Sequence, residues 1–379
     1  MDLQPVIYSF KERFTYGLNP DSTWYGTLGH FRQLYPDSTW AAKLSEISNE
    51  QGTLAWQTSQ DMLALVVLYD QTGDLWFLRW LERYCEAVIA ARDDLSGKKD
   101  CEGLLLPGWG SSRYGDSKRK VYLVHSGLIL EPILEYALRA AKLPDRSAAD
   151  DEKLKKLVEH CRETLLWHDS QLDPESPPGE AVYLSGGEEP ERRHAWQPFN
   201  RQNVLARDFY LLFQLTGDET YRERSRKLYT FFRDHIERTP SDAYVWEYEQ
   251  PRFVQGPPKV IVCEDVSHAS YSIEPVVHAC RDGFVFEPAD LHRFARTFTK
   301  YIHLGNGILQ TSIGCRPSFS PMLTERFYAW LPLAQADPHV YWLLRRFLMH
   351  NVEKPQPLAI AYLIAYRPKG MAGVDTRVH

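Results

Sequence analysis

The chain has 379 residues, 44% of them apolar and 25% charged, enough for one large domain or two ordinary ones and too apolar for disorder. A net charge of −6 and a pI near 6.1 carry no nucleic-acid footprint, and no apolar run is long enough to predict a membrane span. Aromatic residues make up 13%, with 11 Trp and 21 Tyr, rings that line carbohydrate clefts and fill helical cores alike.

Residues 1–50 read as short helices broken by Asn19-Pro20-Asp21 and Tyr35-Pro36-Asp37 turns. A helix follows Trp56-Gln57-Thr58-Ser59-Gln60, with Met62, Leu65, Val66 and Tyr69 at helical spacing. It stops at Thr72-Gly73-Asp74, a glycine C-cap followed by an acidic N-cap, and a partner runs from Leu75 to about Arg92. Residues 93–121 form a long basic loop with Gly108-Trp109-Gly110, Arg113-Tyr114 and Lys118-Arg119-Lys120; it lacks the GxxxxGK phosphate-loop pattern. The next hairpin opens at Tyr122-Leu123-Val124-His125 and turns near Pro144. A charged loop, 168–198, leads to a third helix opening at Trp196-Gln197-Pro198-Phe199-Asn200-Arg201-Gln202-Asn203 and ending at Thr216-Gly217-Asp218. The fourth opens at Glu264-Asp265-Val266-Ser267-His268-Ala269-Ser270-Tyr271, a dense polar stretch at the head of an apolar helix. Beyond it come Arg316, then Glu325-Arg326-Phe327-Tyr328-Ala329-Trp330 at a further opening, and two closing helices, 335–349 and about 356–366.

The turn markers Gly73, Pro144, Gly217 and Glu287 recur at intervals of 71, 73 and 70 residues. Such recurrence predicts an all-α toroid of repeated helical hairpins, with inner helices lining a central cleft. We expect one toroid domain over 1–370 and a disordered tail over 371–379. Counting back from each marker, His125 and His268 both lie 19 residues ahead of theirs, Asn200 and Asn203 lie 17 and 14, and Gln57 and Gln60 lie 16 and 13. At about 1.5 Å per residue these offsets differ by a turn or so, so the polar groups should gather at one rim.

Asn, His, Arg and Tyr in an aromatic cleft suit β-elimination on a uronate polysaccharide. Removing the C5 proton requires the neighbouring carboxylate to be neutralised, which Asn, His and Arg can do. A Tyr or His takes the proton and a Tyr gives one to the leaving oxygen. That order of residues over 50–350 resembles the α/α-barrel alginate and glucuronan lyases, closest to polysaccharide lyase family 38. The resemblance implies that Asn203 or Asn200 and His268 hold the carboxylate, with His268 as an alternative base. It implies Tyr328 as acid, or acid and base together, with Tyr271 competing, and Arg316 or Arg326 steadying the carboxylate or the tyrosinate. His125, Gln57 and Arg113 are candidate sugar contacts. No metal or cofactor is required, and the expected partner is an acidic poly- or oligosaccharide, with neither nucleic acid nor membrane.

Three rivals remain open. An unsaturated uronyl hydrolase needs paired acids, for which Asp61, Asp208 and Asp265 are candidates. A sugar epimerase would use His125 and His268 as acid and base. A non-catalytic helical scaffold would bind a partner. The six cysteines (Cys85, Cys101, Cys161, Cys263, Cys280, Cys315) form no CxxC and read as free thiols. Met1-Asp2-Leu3-Gln4-Pro5 has no signal-peptide pattern, so the expected location is the cytoplasm, or outside it if a signal was removed.

Overall fold

In a computed structural model the described residues are 27–114, 117–186, 194–248, 264–314, 321–352 and 355–368, with the side chains of the helical run that starts at 321 described from 326. Arg316, Cys263, Cys315 and the expected tail lie outside them.

The helices are α1 (Leu28–Leu34), α2 (Asp37–Leu44), α3 (Ser59–Thr72), α4 (Leu75–Ala90), α5 (Asp93–Ser96), α6 (Leu123–Ala140) and α7 (Ala148–Trp167). After them come α8 (Phe199–Thr216), α9 (Glu219–His235), α10 (Val266–Asp282), α11 (Pro288–Thr297), α12 (Pro338–Asn351) and α13 (Pro357–Ala365). A π-helical turn, Leu54–Thr58, runs straight into α3, and a 3-10 segment, Pro321–Gln335, precedes α12. The described strands form one small ribbon, β1 (Glu237–Arg238) antiparallel to β2 (Tyr244–Val245), with Glu237 opposite Val245.

The inner ring closes on itself. Helix α3 packs on α6, α6 on α8, α8 on α10, α10 on the 3-10 segment, that segment on α13, and α13 back on α3. Each inner element is followed by an outer one packed against it: α4, α7, α9, α11 and α12; α1 covers α13. The expected all-α toroid is therefore the observed fold. Contacts at both ends show that the inner helices run parallel. Trp56, at the head of α3, meets His125 at the head of α6, while Asp70 at the foot of α3 accepts hydrogen bonds from Arg139 at the foot of α6.

The hairpin turns follow from local chemistry. Gly73 and Gly217 adopt left-handed φ of 68° and 73°, and each donates its N–H to a carbonyl four residues back. The threonine before each glycine donates to a carbonyl four residues back and accepts the N–H of the following aspartate. Asp74 and Asp218 then cap α4 and α9 through the N–H of Trp76 and Thr220. The two Thr-Gly-Asp triplets thus build the same turn twice. At the Glu287 marker the work is divided: Gly283 ends α10 and Glu287 opens α11 with a capping box.

The core lies between the rings. Outer helix α9 buries Tyr221, Leu228, Tyr229, Phe231 and Phe232 and leaves its arginines and glutamates outward. Phe232 sits among Phe199, Trp246, Phe286 and Phe294. The 3-10 segment departs from the expected α-helix: it runs for 15 residues and holds Pro332, whose missing N–H weakens an α-helical ladder there.

Inner helices approach closely at Gly127, where an added Cβ would lie 2.7 Å from Val204 Cγ2 and 2.8 Å from Leu205 Cδ1. Gly127→Ala should therefore destabilise the fold by about 1–3 kcal/mol despite alanine's higher helix propensity. Urea unfolding checks this; an unchanged or raised midpoint would show that α6 and α8 separate freely.

Candidate functional site

The long loops all enter at the heads of the inner helices, and the aromatic side chains there converge. Trp56 stands edge-on to His125 with ring centres 5.3 Å apart, and to Tyr271 at 5.4 Å. Tyr114 and Tyr122 meet His125 at 5.5 and 5.2 Å. The Trp56 indole N–H donates to the Tyr114 hydroxyl. The first inner opening and the 93–121 loop thus frame one imidazole, and Tyr271 of α10 joins the frame through Trp56.

That imidazole is fixed and neutral. Asn49 Nδ2 donates to the Trp109 carbonyl at 2.7 Å and to His125 Nδ1 at 3.1 Å, while Asn49 Oδ1 accepts the Ala55 N–H. Nδ1 therefore accepts, and the His125 proton resides on Nε2. Burial, helped by the positive charges of Arg201 and Arg113, pushes its pKa down to about 3.

His268 lies at the head of α10, part-exposed, and its Nδ1 hydrogen-bonds Asp265. Asp265 also caps the helix through the N–H groups of Ser267 and His268. Burial would raise the Asp265 carboxyl, but these bonds and the imidazole hold it below its usual value. With Nδ1 donating, His268 Nε2 is left as an acceptor. Tyr271 follows one turn deeper on the same face, 4% exposed. Burial raises its phenol to about 12, against the pull of Arg326.

Arg326 stacks its guanidinium 3.8 Å from the Tyr271 ring centre. Its nitrogens are committed: Nε to Ser270 Oγ and Nη2 to Glu274 Oε2, both at 2.8 Å, and Nη1 to the Tyr328 hydroxyl at 3.3 Å. Tyr328, 1% exposed, donates in turn to Gln356 Oε1 at 2.9 Å. Tyr271 is thus the phenol that faces the His125 frame, and Tyr328 stands behind Arg326.

Asn200, Asn203 and Arg207 share one stripe of α8 at helical spacing, and Gln60 occupies the corresponding first turn of α3. All four are buried, and Gln60, Asn200 and Asn203 each leave amide atoms without a hydrogen-bond partner. Gln57 is exposed, whereas Gln60 is buried. Arg113 is exposed, stacks over Tyr114 and donates to the Gln51 carbonyl. Of the rival acids, Asp61 pairs with Lys43, Asp265 with His268, and Asp208 is fully buried with no hydrogen bond to either oxygen. Two groups among the described residues have donor atoms within 4.8 Å of one another, as a cation would need: Glu264, Asp265 and His268, and Glu131, Glu135 and His278. Asn49 and Trp56 were not singled out from sequence; Asn49 lies in a plain Ser-Asn-Glu turn, 76 residues from the histidine it orients.

No protein-family model matches the chain, and no curated protein matches it. Solved structures do share its architecture, which defines an α/α-barrel protein. The cellobiose 2-epimerase of Bacillus thermoamylovorans is 11% identical over 89% of this chain and 86% of its own, with a TM-score of 0.54. A sugar epimerase from a ruminal bacterium is 11% identical over 95% and 98%, with a TM-score of 0.52. An inactivated α-1,6-mannanase of a Salegentibacter species, bound to mannotriose, is 11% identical over 83% and 88%, with a TM-score of 0.51. At that identity the likeness is one of fold. No helix among the described residues is long and apolar enough to cross a membrane.

The buried histidines set a pH dependence. His125 and His168 are pushed down by burial from 6.5 to about 3 and about 4. Below about pH 6.5 the unfolded chain binds these protons and the folded chain does not, so stability is full above that value and falls as pH drops. The contribution of the two histidines together should shrink by on the order of 6 kcal/mol by about pH 4. His168→Gln should make the urea midpoint fall less between about pH 7 and pH 4 than it does in the unaltered chain, and an equal fall in both would contradict this.

Proposed function

We propose that the chain is a carbohydrate-active enzyme that cleaves a uronic-acid polysaccharide by β-elimination. The observation that carries this reading is the convergence of Trp56, Tyr114, His125 and Tyr271, with His268 one turn above Tyr271 on the same helical face. The cations nearest His125, Arg113 and Arg201, favour an anionic sugar over a neutral one.

In this scheme the carboxylate lies against His125 Nε2–H, Arg113 and Arg201, which absorb the charge that develops as the C5 proton leaves. His268 Nε2 takes that proton, and Asp265 steadies the imidazolium. The C5 electrons form the C4=C5 bond, the C4–O4 bond breaks, and the Tyr271 phenol delivers a proton to O4. Arg326, over the Tyr271 ring, stabilises the tyrosinate that results. Tyr328 and Glu274 hold Arg326 in place. Asn200, Asn203 and Gln60 offer unsatisfied amides deeper along the axis, suited to a carboxylate or hydroxyl of the same chain. The fold relatives whose names mention sugars agree with a saccharide substrate.

One feature favours a second reading, a uronate epimerase. His125 and His268 open the second and fourth inner helices at the same distance from their turns, as an acid and a base on opposite faces of a ring would require.

Incubation with alginate and glucuronan, followed by the ultraviolet absorbance of the new double bond, tests elimination. His268→Ala and Tyr271→Phe should each lower kcat by at least about 100-fold with unchanged unfolding midpoints. Tyr328→Phe should cost less than Tyr271→Phe. Inverted C5 stereochemistry by NMR without a double bond would select the epimerase, and no change in any uronate would overturn both readings.

A further inference from the structure

The opposite end of the barrel holds a second cavity of about 1120 Å³, built from the feet of α3, α6, α8, α10 and α13. It is separate from the aromatic frame at the heads of the same helices. A hydrogen-bonded layer lies between them, in which Glu274 accepts from Arg326 on one side and from the Tyr362 hydroxyl, at 2.9 Å, on the other.

Its lining carries five acidic and five basic side chains, and several of the buried ones are paired. Arg139 donates to Asp70 and Glu135, and Arg207 donates to Glu135. What remains points inward. Glu131 is 5% exposed and makes no hydrogen bond, with its nearest cation, Arg207 Nε, 3.9 Å away. Arg207 Nε is itself without a hydrogen-bond partner. His278 lines the same wall, makes no hydrogen bond, and is kept neutral by burial. The wall thus offers a carboxyl, a guanidinium N–H and an imidazole, each short of a partner, beside the tyrosines Tyr69, Tyr362 and Tyr366.

A ligand of either net charge meets opposing groups of both signs here. Hydroxyl groups, which donate and accept at once, satisfy all three orphans together. A divalent cation at Glu131, Glu135 and His278 is disfavoured, because two arginines already occupy both Glu135 oxygens and would face the ion. The volume is at the upper end of small-ligand sites, which run to about 1,000 Å³. We propose that this cavity is a second binding site, for a neutral mono- or disaccharide, distinct from the cleft assigned to the acidic chain.

The test is calorimetry of the whole protein with glucose, mannose, galactose, cellobiose and mannobiose. At least one should bind saturably, and binding should persist in Trp56→Ala, which removes the shared aromatic wall of the other mouth. Glu131→Leu should weaken it at least about tenfold. Leu63→Trp, which fills the cavity from its apolar side, should abolish it. Circular dichroism verifies folding, and if Glu131→Leu does not fold, Leu63→Trp decides. The proposal fails if no neutral sugar binds, if only zinc or manganese binds, or if binding is lost in Trp56→Ala and unchanged in the two cavity variants.

Discussion

The parallel packing of the inner ring is the constraint from which the other features follow. Parallel helices set like ends of their peptide dipoles side by side, an arrangement that antiparallel neighbours avoid. Each inner element from α3 to the 3-10 segment is therefore backed by an outer helix that follows it after a short turn, while α13 is covered by α1 from the other end of the sequence. The returns from outer to inner helices are the long connections, so they gather at the mouth where the inner N-termini lie. That mouth carries the unsatisfied N–H ends, and Asp265 answers them at α10. An anionic sugar would meet a favourable field there before it meets any side chain.

The second feature is the polar axis. A ring of six inner elements leaves a central column that apolar residues can fill, yet this one holds Glu131, Glu135, Arg207, Glu274 and Arg326, each at most 8% exposed. Removing such charges from water costs several kcal/mol per ion, and pairing returns only part of it. The cost is contained by matching: Glu274 with Arg326, and Glu135 with Arg139 and Arg207. Glu131 is the member left over, and burial raises its carboxyl to about 8. Stability alone does not account for such a column, since apolar residues of similar volume would serve it as well or better.

How much of this was legible in the sequence depends on the range of the interaction. The Thr-Gly-Asp turns were readable because every bond in them spans four residues or fewer. Counting from the Pro144 and Glu287 markers, which those turns helped to place, put His125 and His268 at the same level, and both do open inner helices. The count could not resolve helix faces at the first inner opening, where a π-helical turn shifts the phase, so Gln57 is exposed while Trp56 and Gln60 turn inward. It could not tell Tyr271 from Tyr328 either. Their difference rests on Arg326, which reaches α10 from a 3-10 segment with no clear periodic signature. Asn49 left no mark at all, since its role is set by Trp109 and His125 in other repeats.

The buried amides connect these strands. Gln60, Asn200 and Asn203 come from two helices on the ring, within the first two turns of each. A buried polar group without a partner costs about 1–3 kcal/mol, so three together are an appreciable burden on a fold of ordinary stability. An inner helix gains nothing from an amide at those positions that leucine or alanine would not give more cheaply. On α8 the side facing the outer ring is mostly apolar, with Phe199, Leu205, Phe209 and Leu212 buried and Asp208 set among them. Asn200, Asn203 and Arg207 form a separate polar stripe on the same helix. A ligand with its own donors and acceptors, arriving from the loop-bearing mouth past Trp56 and Tyr271, is the simplest physical reason for a chain to keep them there.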